Sequence, residues 1–119
     1  MSVTYVTIKK EQEIWHIYFN KNMYFELKDI NGAWVEIYEG LQNMENIKVV
    51  LNFELVDTFS SLFIGKLVAF QKKISSNKGH LVLCNIKSRL LELFEVTKIN
   101  KIFSISPTLT DAYGVLKKH

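Results

Sequence analysis

Along the chain the apolar positions change their period several times. Residues 5–8 and 14–19 are rich in β-branched and aromatic side chains, and the polar run Lys9, Lys10, Glu11, Gln12, Glu13 separates them, which predicts two adjacent strands joined by a turn. From Leu27 the spacing becomes helical. Leu27, Ile30, Trp34, Ile37, Leu41 and Met44 recur at steps of three and four, which places them on one face of a helix. Residues 47–53 are then an almost unbroken apolar run, the pattern of a strand covered on both faces in a parallel sheet. A second helical stripe, Phe63, Leu67, Phe70 and Ile74, starts near Ser60 and is broken by Ser75, Ser76, Asn77, Lys78 and Gly79. A strand over 81–84, a short helix around Leu90, Leu91 and Phe94, a strand over 102–105 and a last helix after Pro107 complete the pattern. Thr108 and Asp111 have the spacing of a capping box, with Asp in place of the usual Glu or Gln.

A β-β-α-β-α-β-α-β-α order with short connections predicts an α/β fold: a mostly parallel central sheet of four or five strands flanked by four helices, entered through an N-terminal hairpin. One proline, five glycines and the absence of repeats or linker-like stretches predict a single domain over residues 1–119. With 48% apolar, 13% aromatic and 23% charged residues, the composition is that of a chain that buries a core and excludes intrinsic disorder.

The net charge of +3 comes from 15 basic against 12 acidic residues, scattered apart from Lys117 and Lys118, so no basic stripe points to nucleic acid. No apolar run is long enough for a signal peptide or a membrane span, which predicts a cytoplasmic protein without membrane contact, monomeric or weakly dimeric. Cys84, the only cysteine, lies within an apolar strand and reads as a small core residue rather than a nucleophile. His16, His80 and His119 lack ligand spacing, no glycine-rich phosphate loop is present, and no nucleophile pairs with a base. The expectation is therefore a non-enzymatic chain with no cofactor and no metal of its own. His16 reads as a hydrogen-bonded strand histidine and His80 as exposed, while Trp15 and Trp34 sit on apolar stripes where burial explains them.

Specificity enters at the third strand and the helix after it. The run Ile47, Lys48, Val49, Val50, Leu51, Asn52, Phe53, then Val56, Asp57, Thr58, Phe59, Ser60, Ser61, then Gly65 and Leu67, resembles the strand, switch loop and helix of the STAS family. Bacterial anti-sigma factor antagonists, stressosome proteins and the tails of sulfate transporters share that domain. Residues 79–84 and 90–103 resemble the family's next strand, helix and strand, so the resemblance spans essentially the whole chain. It implies an anti-sigma factor antagonist, a binding switch that sequesters a serine kinase of ATPase-type fold doubling as anti-sigma factor. A metal-dependent phosphatase resets such a switch, and the ATP and metal belong to those partners.

In antagonists of this family the phosphoacceptor serine opens the second helix, preceded by Asp and followed by Ser-Gly-Leu-Gly. Aligned back from Gly79 without gaps, that position is Ser61; Ser60 stands where the Asp usually is, and Leu62 and Phe63 replace the small Ser-Gly pair. After the hairpin, where the family has Gly-x-Leu-Asp, this chain reads Phe19, Asn20, Lys21, Asn22, Met23. The resemblance thus implies phosphorylation at Ser61 and a partner surface of Asp57, Thr58, Ser60, Ser61, Leu62, Phe63, Lys66, Asn20 and Asn22. Read from the residues alone, either serine is first a helix cap, and Ser60, at the position of an equally good capping Asp, takes that role. A constitutive scaffold that is never phosphorylated, or a nucleotide- or small-ligand-carrying STAS domain as among transporter and sensor relatives, are the competing readings.

Overall fold

A computed structural model of the chain describes residues 4–119. Strands β1 (Val6–Glu11) and β2 (Ile14–Phe19) form the hairpin. β1 runs through the charged residues to Glu11, and the turn is only Gln12 and Glu13, both with positive φ (53° and 64°), the twist that suits a two-residue hairpin. After β3 (Met23–Tyr24) come α1 (Leu27–Leu41), β4 (Lys48–Asn52), β5 (Thr58–Phe59), α2 (Ser61–Ser76), β6 (His80–Cys84), α3 (Ser88–Val96), β7 (Ser104–Ser106) and α4 (Leu109–Lys117). The five-stranded sheet has the order β1-β2-β4-β6-β7 and is parallel except for the hairpin, with Trp15 opposite Val49 and Val49 opposite Leu81. The pleat then sorts the side chains. Ile17, Phe19, Val49, Leu51, Phe53, Leu81 and Leu83 face α1, α2 and α3, whereas Ile14, Val50, Val82 and Cys84 meet Ala112 and Leu116 of α4.

Several expectations shift by a turn. Leu27 opens α1 but is 60% exposed, because helical side chains lean toward the N-terminus and a first-turn residue overhangs the sheet. Met44 is buried yet lies beyond the helix end, so it extends the apolar spacing without extending the helix. The last strand is 104–106 rather than 102–105: a 3-10 turn over Ile99–Lys101 uses up the approach, Ile102 stays exposed, and pairing begins with Ser104 opposite Val82. Thr108 does cap α4, its hydroxyl accepting from the Asp111 N–H at 3.1 Å.

One polar knot is built into the sheet. Asn52, 4% exposed at the end of β4, accepts through Oδ1 from the Glu54 N–H and from the Asn85 amide, each at 3.0 Å. The backbone donor fixes the orientation of the Asn52 amide, so its NH2 is the group 3.2 Å from His16 Nε2. Nε2 must then accept, which requires the neutral ring with its proton on Nδ1. Burial lowers the His16 pKa below the usual 6.5, with Glu11 opposing and Lys9 adding to the effect.

Two outcomes follow from this packing. Ile37, fully buried on α1, becomes an unpaired interior charge on Ile37→Asp, which lowers unfolding stability in urea by about 4 kcal/mol or more. For His16 the folded state binds fewer protons than the unfolded one, so its contribution is complete above 6.5 and is lost as pH falls through the lowered folded value. Urea unfolding on acidification past 6.5 should show a smaller stability loss in His16→Gln than in the wild type, since His80, also lowered, titrates in both.

Candidate functional site

Two loops without any long periodic pattern meet at the C-terminal end of the sheet. The loop after β2 and the loop after β4 are joined by a separate parallel pair, β3 with β5, in which Met23 lies opposite Thr58 and Tyr24 opposite Phe59. The Asn22 carbonyl accepts from the Asp57 and Thr58 N–H groups at 2.8 and 3.3 Å, and the Tyr24 carbonyl from the Ser60 N–H at 3.1 Å. Tyr24 anchors the first loop: its hydroxyl donates to the Tyr5 carbonyl at 2.8 Å and accepts from the Lys21 N–H at 3.2 Å. Burial pushes this phenol up to about 12. Lys21 also holds Asp29, at 2.9 Å, in the first turn of α1.

Under the loops lies an aromatic cluster. Phe63, on the first turn of α2, stacks on Phe59 with centroids 4.7 Å apart and meets Phe19, Tyr24 and Trp34 at 5.4, 5.2 and 5.8 Å. It is 0% exposed. Its expected place on a contact surface is therefore corrected: the bulky residue replaces a small one by filling the core from the helix side, and it leaves the surface to its neighbours.

Ser60 is the residue before α2, with extended backbone, and its carbonyl accepts from the Ile64 N–H at 3.3 Å. Its side chain makes no capping bond, however, and the hydroxyl is buried with no partner. The capping role expected for Ser60 is thus not realised; the hydroxyl turns inward, toward the packed side of the loop. Ser61, the first residue of α2, is exposed, as are Leu62 and Lys66. No acidic residue occupies the first turn of α2.

The other expected positions divide between the two loops. Asp57 is exposed, ion-paired with Lys87 of the β6–α3 loop and 3.5 Å from the Asn22 amide; the bond from Lys87 holds its carboxyl below the usual range. Thr58 is half-buried in β5. Asn20 is committed elsewhere, its amide accepting from the Thr7 hydroxyl at 3.0 Å and donating to the Thr4 carbonyl at 3.2 Å, so β1 takes up the side chain.

Of the apolar rim, sequence reasoning named Leu62 and passed over Met23, Phe25 and Leu55. Met23, Phe25, Leu55 and Leu62 are 46%, 48%, 43% and 43% exposed, and all lie on the two joined loops or the turn that follows them. Their signal was available as large apolar residues that fit no period. Lys87 and Asn85 were missed as well, because nothing local marks a loop residue that reaches across to another loop.

The STAS domain family model matches residues 5–112. A search of curated proteins finds no match. Among solved structures the chain is similar to an anti-sigma-factor antagonist (STAS) domain protein from Planctomyces limnophilus. The TM-score is 0.85 at 23% identity, over 94% of this chain and 97% of that one. It is also similar to a candidate anti-sigma factor antagonist from Thermotoga maritima, with a TM-score of 0.79 at 16% identity over 94% of each chain. Those likenesses speak to the fold, and they agree with the five-stranded sheet, the four helices and the hairpin. Together with the match from Tyr5 to Ala112, they establish that the chain belongs to the STAS domain family.

Proposed function

We propose that this chain is an anti-sigma factor antagonist that works as a phosphorylation-controlled binding switch. It sequesters an anti-sigma factor that is also a serine kinase of ATPase-type fold, and so regulates sigma-factor-dependent transcription in the cytoplasm; a cognate phosphatase resets it. The observation that carries this reading is the setting of Ser61: an exposed serine at the start of a 16-residue helix, followed by the exposed Leu62, where the loops joined by β3 and β5 also leave Met23, Phe25 and Leu55 exposed. Exposed apolar side chains on joined loops at the start of a helix suit docking of another protein.

The chemistry of the switch belongs to the surface. Phosphate on Ser61 adds about −1.5 to −2 charges beside unpaired N–H groups whose dipole favours an anion, with no carboxylate in that turn to repel it. The fold tolerates the group. A partner fitted to the neutral serine and its apolar rim must instead desolvate a dianion, and the complex releases. Ser60 is a poorer acceptor because its hydroxyl is buried. Asp57 and Lys87 keep the switch loop beside the β6–α3 loop, and Asn22, Thr58, Lys66 and Leu62 complete the contact surface.

The test is reconstitution with the serine kinase of the source organism that retains the chain in a pull-down. Mass spectrometry after incubation with ATP should place phosphate on Ser61, Ser61→Ala should bind without being labelled, and Ser61→Asp should bind at least about tenfold more weakly with unfolding stability within about 0.5 kcal/mol of wild type. Label on Ser60 or Thr58 alone would move the acceptor, and a bound chain that no kinase labels would make it a constitutive scaffold. Independently of phosphorylation, Phe25→Ser and Leu62→Ser should each weaken the complex by about tenfold in calorimetric titration while leaving the urea midpoint nearly unchanged.

A further inference from the structure

The side of the sheet opposite α1, α2 and α3 is only half roofed. α4 has nine residues and lies chiefly on β4, β6 and β7, so β1 and most of β2 are bare there. A trough follows, made of two adjoining cavities of about 360 and 580 Å³ that share Lys9 and His16. A bare face on an antiparallel edge is ordinarily just wetted. Three features set this one apart.

Its floor is built rather than merely exposed. Asn52 is buried, and it holds the half-buried His16 ring in the tautomer whose Nδ1–H has no partner among the described residues. The open groups around that floor are donors as well. Lys9 and Lys117 make no ion pair among the described residues, and the Tyr113 hydroxyl makes no hydrogen bond there. Glu11 is the one carboxylate lining the trough, so two ammonium groups against one carboxylate leave a single positive charge, which suits a monoanion better than a polyphosphate. Finally, the walls are flat and apolar where His16, Tyr18 and Tyr113 present rings, and on α4 a β-carbon placed at Gly114 would meet nothing within 4 Å.

We propose that this trough is a binding site for a small, flat organic monoanion, of which an aromatic carboxylate is the simplest form. The carboxylate takes its charge partners from Lys9 and Lys117 and a hydrogen bond from His16 Nδ1–H, while the ring lies against Tyr18 and Tyr113. The site does not depend on the anti-sigma reading, since no residue of the Ser61 rim contributes to it.

The probe is 2-naphthoate, titrated into the ¹⁵N-labelled full chain at neutral pH and followed by amide shifts. Saturable shifts at His16, Tyr18, Tyr113 and Gly114 are expected, with the neutral 2-naphthamide binding at least about tenfold more weakly. The double variant Lys9→Glu, Lys117→Glu should lose binding by a similar factor, and Gly114→Leu, which fills the trough from the α4 side, should abolish it. Shifts confined to Met23, Phe25 and Leu62, equal affinity for the amide, unchanged affinity in the double variant, or no saturation up to millimolar probe would each overturn the proposal.

Discussion

Everything at the candidate site depends on where Phe63 goes. A benzyl side chain on the first turn of α2 cannot stay in water beside four other rings, and once it packs among Phe19, Tyr24, Trp34 and Phe59 the start of the helix is fixed in place and in rotation. That one anchoring turns Ser60 inward and leaves Ser61 and Leu62 outward. It also draws Phe59 and Tyr24 under the loops, and because these two residues face each other in the β3–β5 pair, the backbone pairing and the aromatic packing support one another. The exposed rim above owes its arrangement to the buried rings beneath.

Polar contacts complete what the rings begin. Asn52 ties the root of the switch loop, through the Glu54 N–H, to the root of the β6–α3 loop, through Asn85. Farther out, Asp57 and Lys87 join the same two loops across solvent, a weaker tie because water screens it. The deep tie sets the geometry and the outer one orients the surface. Since the deep tie runs on to His16, the roots of these two loops are linked to β2 by a short run of hydrogen bonds as well as by packing.

The sheet itself is asymmetric. Its α1–α3 face is a continuous aromatic and aliphatic core, whereas the other face is covered only over its centre by the nine residues of α4. The strand β4, flanked by β2 and β6, is apolar on both faces from Val49 to Leu51, and at Asn52, which lines the trough beside α4, a polar residue becomes tolerable.

Much of this architecture was legible in the residues. β-branched and aromatic segments located the hairpin strands and steps of three and four the helices, the apolar run 47–53 announced a central parallel strand, and the passage through Asp57 and Ser61 carried the family resemblance that the family match bears out. These features are local: a helix stripe or a buried strand is written in consecutive residues. The β3–β5 pair was not legible, because two residues per strand leave no period, and its stability comes from rings supplied by β2, α1 and α2. Nor could local pattern say that Leu27 overhangs the sheet, that Asn20 is taken up by Thr4 and Thr7, or that the Ser60 hydroxyl is buried while its neighbour Ser61 is exposed. Sequence by itself determined the order of the strands of the main sheet and of the helices, and which serines stand at the start of the second helix. Only the tertiary structure decided which side chains of that turn face solvent, because rotation of a helix about its axis is set by the partners its apolar residues find far along the chain.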